Sequence, residues 1–248
     1  EPLVGRSTQF VLTPFSQREI AQTETALETV TLPHAPEVID VPSVDSFRRP
    51  PRLSLAIRGV GGQGNLFFGK VLAQVAFLAG YDDRNILKGE THGMAQMGGP
   101  VISTFGCGEV FSPALVPGTA NVLIAMEKAE VLRPGFLDLL EPGGTVLMAD
   151  TRILPHGLKP EAYPSDEAIA AQLEGYRVVS VDVFALNLGD PKGRCANVAM
   201  LGVLSTLPPF DVVPEAVWLQ ALRGISRKPA LWDLNHAAFM AGRGMQKG

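Results

Sequence analysis

The chain has 248 residues, 46% hydrophobic and 19% charged, with a formal charge of −4 at pH 7. That supplies apolar material for the core of one domain of ordinary size plus an appendage. An acidic balance without any Lys/Arg-rich run excludes a nucleic-acid surface and an anionic-membrane surface, since both require clustered positive charge.

Residues 1–51 are rich in Pro, Thr, Ser and Glu, carry no sustained period, and end in Arg48-Arg49-Pro50-Pro51. They read as an extended tether, either lying along a partner through Phe10, Val11, Leu12, Phe15, Val38, Ile39 and Val41, or plain disorder. The chain opens on Glu1 rather than Met, which suggests a processed, trimmed or partly observed polypeptide, and no signal peptide is evident. The most apolar stretch, residues 66–80, is interrupted by Lys70 and Gln74 and is shorter than the roughly 20 residues of a bilayer span.

From Leu53 onward, short apolar runs alternate with helical periodicity, which predicts a doubly wound, mostly parallel, Rossmann-like α/β domain over residues 52–248. Residues 53–58 read as a strand, 59–64 as a turn, and 65–79 as a helix ended by Gly80. Further strands are expected at 101–105, 122–126, 145–149 and 177–183. Helices are expected at 185–188, 197–207, 214–225 and 230–241, with Pro214 suited to a first turn.

The turn Gly59-Val60-Gly61-Gly62-Gln63-Gly64 fits G-x-G-x-x-G between strand and helix, where free N–H groups can meet a phosphate or carboxylate. A nicotinamide site would add an acidic residue about 20 residues on, at the end of the next strand. Asp82 and Asp83 have the spacing but precede any strand, and Glu90 belongs to a polar loop. The turn is therefore open to three readings: a dinucleotide site, another anion site, or a tight turn alone.

Cys107 and Cys195 lie far apart with no CxxC pair, so this chain alone builds neither a zinc nor an iron–sulfur site. They read as buried thiols of a cytoplasmic protein. Four scattered histidines, His34, His92, His156 and His236, predict no metal site either. No Ser, His and Asp stand in nucleophile-elbow context.

GVGGQG at 59–64 together with ETHGMAQMGG at 90–99, one strand-helix-strand unit apart, resembles the gamma subunit or gamma domain of the 2-oxoacid:ferredoxin oxidoreductases, closest to the indolepyruvate branch. Ser112-Pro113, GTANVLIA at 118–125, LEPGGTV at 140–146 and NVAMLG at 197–202 agree with it, and the likeness runs from Leu53 to about Arg243.

The resemblance implies one component of a multi-subunit enzyme that oxidatively decarboxylates a 2-oxoacid to an acyl-CoA. Thiamine diphosphate, magnesium and [4Fe-4S] clusters would reside in partner subunits, CoA would be a co-substrate, and ferredoxin or another carrier would take the electrons. Consistently, Gly189-Asp190 runs into Pro191 and lacks the Asn that a thiamine diphosphate site would show. An aromatic 2-oxoacid such as indolepyruvate or phenylglyoxylate follows from the branch. The family usually has Arg where Met97 stands; a thioether cannot make an arginine's paired hydrogen bonds to an anion.

Within that frame, His92 and Glu90 are the candidates for accessory catalytic contacts with a substrate or cofactor across an interface. The other reading is of a histidine hydrogen-bonded to a neighbouring loop. Thr91, Gly93, Gln96, Met97, Gly98 and Gly99 share that loop. With Gly59, Gly61, Gly62, Gln63 and Gly64 they form the expected cofactor or interface surface. Glu127, at the end of the 122–126 strand, either faces the same crevice or starts a helix.

Overall fold

The computed structural model describes residues 39–90, 99–154, 159–186, 195–226 and 228–245, and the fold is that of the compact unit starting at Ile39. A six-stranded sheet runs β2-β3-β1-β4-β5-β6, where β1 is Arg52–Val60, β2 Ile86–Glu90, β3 Pro100–Gly108, β4 Ala120–Ala125, β5 Leu140–Ala149 and β6 Arg177–Val181. β1, β4, β5 and β6 pair in parallel, whereas β3 runs antiparallel to both β1 and β2. The sheet is thus mostly parallel, as expected. The exception is the strand expected at 101–105, which enters as the second arm of a hairpin with β2.

β1 and β4 are central, covered on both faces, and so read as near-continuous apolar runs. α1, Asn65–Leu78, buries Phe68, Val71, Leu72, Val75 and Ala76, the i, i+3, i+4, i+7 stripe of a helix lying on a sheet. It stops at Gly80, whose φ of +81° suits a residue without Cβ, and the Tyr81 N–H returns 3.1 Å to the Ala76 carbonyl.

α1 shares its side of the sheet with three later helices: α3 Ala196–Leu204, α4 Glu215–Ile225 and α5 Pro229–Gly244. α3 is apolar all round because α5, α1 and β5 enclose it. The opposite face is covered by the 3₁₀ segments Lys128–Leu132 and Leu137–Leu139 and by α2, Asp166–Gln172, whose first turn is capped by Ser165 Oγ, 3.2 Å from the Ala168 N–H. Helical cover on both faces makes the domain doubly wound.

The helix expected at 197–207 ends at Leu204 and the strand expected at 177–183 ends at Val181, while 183–186 form a turn where a helix was expected to begin. Residues 39–51, assigned to the tether on sequence, touch the domain. Val41 and Phe47 pack on the core, Tyr81 Oη donates 2.7 Å to the Pro50 carbonyl, and Arg49 donates to the Gly80 carbonyl. Among the described residues no helix is long and apolar enough to cross a membrane.

Candidate functional site at the carboxyl edge

β1 delivers the glycine turn to the carboxyl edge of the parallel strands, where α/β sheets bind ligands. Gly61 donates its N–H to the Gly99 carbonyl at 2.9 Å, so the turn is tied to the start of β3. Gln63 locks it from the other side: its Oε1 accepts the Val60 N–H at 2.7 Å and its Nε2 donates to the Met126 carbonyl at 2.7 Å. Gly62 and Gly64 hold φ of +99° and +87°, and any Cβ on Gly64 would strike the side chain of Asn197.

Around that glycine, two helix starts converge. Asn65 opens α1 and Asn197 stands in the first turn of α3, with exposures of 6% and 8%. Asn65 Nδ2 and Oδ1 and Asn197 Oδ1 have no hydrogen-bond partner. Buried polar atoms left unpaired cost about 1–3 kcal/mol each. These amides, and the N–H groups at the helix starts, are suited to receiving polar or anionic groups from outside the chain.

The acidic residue of a nicotinamide site belongs at the end of the strand beside β1. Here β3 holds that place and begins there with Pro100, paired with Val60. Glu90 ends β2 one strand further out, opposite Ser103, with Lys88 Nζ 3.5 Å from its Oε1. Asp82 is engaged with Arg84 at 2.8 Å in the turn before β2.

Glu127 stands immediately beyond β4, only 2% exposed. Its Oε1 accepts from Tyr163 Oη and, at 3.3 Å, from the Ile153 N–H. Burial raises its pKa against the opposing pull of these hydrogen bonds. Burial likewise raises that of Tyr163, helped by the Glu127 carboxyl, so the phenol keeps its proton. Glu130, 3% exposed, is held by Arg133 at 2.8 Å and faces Arg58 Nη1 at 3.6 Å, with the Arg58 guanidinium over the Phe136 ring. Glu127 lines a recess together with Val60, Tyr163 and Ile153, and it precedes the 3₁₀ segment Lys128–Leu132.

The structure gathers Gly59, Gly61, Gly62, Gln63, Gly64, Gly99, Glu90 and Glu127 along one sheet edge. Thr91, His92, Gly93, Gln96, Met97 and Gly98 lie outside the described residues. Asn65, Tyr163, Glu130 and Arg58 were not anticipated. An Asn directly after the last glycine was a visible signal; nothing local to Tyr163 announced its partner. Burial pushes the Cys107 thiol up to about 12, and the residue stands on β3 opposite Leu53, away from this edge. Among the described residues no three His, Cys, Asp or Glu side chains are grouped to hold a metal ion.

The fold has close counterparts. The pyruvate oxidoreductase subunit PORC from Thermotoga maritima aligns with a TM-score of 0.57 at 19% identity over 78% of this chain and 96% of its own. The gamma subunit of a keto/oxoacid ferredoxin oxidoreductase from Geobacter sulfurreducens aligns at 0.54 and 21% over 78% and 95%. The chain belongs to the pyruvate ferredoxin/flavodoxin oxidoreductase family, whose pattern it matches over residues 54–245. Its curated relatives include the indolepyruvate oxidoreductase subunit IorB of Thermococcus kodakarensis, 33% identical over 76% of this chain and 93% of that one. The corresponding subunit of Archaeoglobus fulgidus is 33% identical over 62% and 76%.

Proposed function

We propose that this chain is the gamma component of a cytoplasmic, thiamine diphosphate-dependent 2-oxoacid:acceptor oxidoreductase. It lines the entrance of an active site built with thiamine-binding and iron–sulfur subunits and helps hold them together. When bound in those partners, thiamine diphosphate with magnesium supplies the decarboxylation chemistry, and the [4Fe-4S] clusters supply the route for electrons to ferredoxin or another carrier. This chain's own part is to position and to exclude water. The glycine turn, braced by Gln63, permits close backbone approach, while Asn65 and Asn197 offer polar contacts to the co-substrate CoA or to a facing subunit.

The observation that carries this reading is the set of buried, unpartnered amide atoms beside Gly64, both of Asn65 and the Oδ1 of Asn197, since buried polar atoms are ordinarily hydrogen-bonded. An aromatic 2-oxoacid, indolepyruvate or phenylglyoxylate, is the preferred substrate, because the IorB relatives share a third of the aligned residues. The polar segment 90–99, with His92 and Glu90, is assigned to the shared boundary, and Met97 is expected to meet an apolar or aromatic surface rather than an anion.

The test is purification from the native source followed by mass spectrometry of the intact complex. Expected is a colourless, inactive isolated chain that co-purifies with a larger thiamine-containing partner. Oxidation of a 2-oxoacid with a dye acceptor by the chain alone would sink the reading. The alternative, a dinucleotide-binding regulatory or structural protein using GVGGQG, predicts tight NADH or NADPH binding by the lone chain. The place of β3 beside β1, with Pro100 where the ribose-holding acid would stand, weighs against it.

A further inference from the structure

α1 is apolar on more than the face it buries. Its sequence, Asn-Leu-Phe-Phe-Gly-Lys-Val-Leu-Ala-Gln-Val-Ala-Phe-Leu, holds a single charge and no acid. Phe68, Val71, Leu72 and Val75 turn into the core. On the opposite side Leu66, Lys70, Ala73 and Phe77 stand four, three and four positions apart, a spacing that lines them up as a second stripe. A helix apolar all round is ordinarily buried all round, yet Leu66 and Phe77 are 49% and 58% exposed.

Alternate steps of four and three are the a and d spacing of helix-on-helix packing, so the surface that complements this stripe is another helix lying along it. Leu66 and Phe77 supply large side chains at its two ends, and Ala73 lets the backbones approach between them. Lys70 decides whose helix it is. This exposed lysine stands in the middle of the stripe and makes no ion pair among the described residues. Glu90, the acid that approaches α1 at Gly69, is engaged by Lys88 at 3.5 Å. A second copy of this chain laid antiparallel along the stripe, Leu66 on Phe77, would set the two Lys70 residues only about 5 Å apart along the axis. A parallel copy would set them face to face. Neither arrangement brings an acid, since α1 has none, and like charges so placed repel. A helix of a different chain, carrying Asp or Glu opposite Lys70, meets both demands: apolar contact at the ends and a counter-charge in the middle.

We propose that the outer stripe of α1 is the docking surface for an amphipathic helix of another subunit, apolar along its contact face and acidic where it meets Lys70. The proposal rests on the reading of this chain as one component of a complex. It extends the boundary at Gly64 and Asn65 along the length of α1.

The complex is purified with this chain carrying F77E, F77L or K70E, and its dissociation on dilution is followed by mass photometry. F77E should raise the dissociation constant by about tenfold or more, the loss of one buried aromatic contact, whereas F77L should stay within about threefold of wild type. K70E, which sets acid against acid, should weaken the complex by a similar factor to F77E, and added salt should narrow its difference from wild type. Both positions are exposed, so the lone chain should melt as wild type does; if F77E does not fold, K70E carries the test. A photocrosslinking residue at position 77 should join the chain to a helical, acid-bearing segment of a partner subunit. Equal affinity of the wild-type, F77E and K70E complexes overturns the proposal and leaves the reading of the complex standing, as does a crosslink to a second copy of this chain. A wild-type chain that assembles with no other subunit overturns both.

Discussion

Glu127 ties ionisation to folding in a direction opposite to most surface carboxylates. Burial lifts its native pKa above the ordinary 4.5, so between those two values the unfolded chain gives up its proton first. Stability from this group is therefore complete below the unfolded pKa and is lost as pH rises through the native one. Glu127→Gln should gain in melting temperature over wild type at pH 8 and gain little at pH 5; a larger advantage at pH 5 would reverse the assignment. Gln63 makes the opposite kind of case, a side chain valuable for what it pairs. Gln63→Ala strands the Val60 N–H and the Met126 carbonyl and should cost roughly 1–3 kcal/mol in urea denaturation. Gln63→Glu should not rescue it, because a carboxylate cannot donate to that carbonyl. For His92, replacement by Ala is expected to lower turnover of the assembled enzyme more than it disturbs assembly. Unchanged kinetics in an intact complex would make that histidine structural. The glycine turn was legible because its motif is local, although the reach of Gln63 to Met126, 63 residues on, was hidden. Tyr163 was not legible, because its partner is 36 residues away and neither neighbourhood carries a period or motif.

At the level of elements, α3 and α5 cross with backbone almost against backbone. A Cβ on Gly202 would collide with the Phe239 carbonyl, and one on Gly242 with the Ala199 carbonyl. Either Gly→Ala change should cost at least the roughly 1–3 kcal/mol of an overpacked core. The expected signature is a lower urea midpoint at an unchanged slope. This crossing also explains why α3 is apolar on every side, a pattern that announces burial without saying against what. Most helices and central strands were legible because both faces of the sheet are covered and their periods are unbroken. β2 escaped notice: Ile-Leu-Lys-Gly-Glu is short, lies at the sheet edge and is only half buried, so it shows no alternation. With β2 unseen, the reversal of β3 was invisible too, since only a hairpin partner discloses that a strand turns back.

For the whole molecule, the two faces of the sheet are unequal. One carries α1, α3, α4 and α5 and the larger core, with Trp218 between Phe210 and Phe239; the other is covered by 3₁₀ turns and the short α2. The segment before β1 belongs energetically to the larger core. Truncation to residue 53 should melt at a lower temperature than truncation to residue 39, because it removes the packing of Val41 and Phe47, the Arg49 and Pro50 contacts at Gly80 and Tyr81, and the 2.9 Å bond from Glu109 N–H to the Pro51 carbonyl. Equal melting would make those contacts incidental. At this scale the sequence disclosed the class of fold, its family and the strand ends where polar residues gather, but not the long-range pairs such as Glu127 with Tyr163 that complete that edge.

The reversal of β3 has a consequence for how such a domain can change. The chain leaves the sheet at Glu90 and re-enters at Pro100, and both points are pinned, one through Ser103 and the other through Val60 and the Gly61–Gly99 bond. Whatever is inserted, shortened or recoloured between them leaves the pairing of every other strand untouched. The frame is thus set by the pairing of β3 with β1 and with β2, and the segment between Glu90 and Pro100 is anchored to it at both ends.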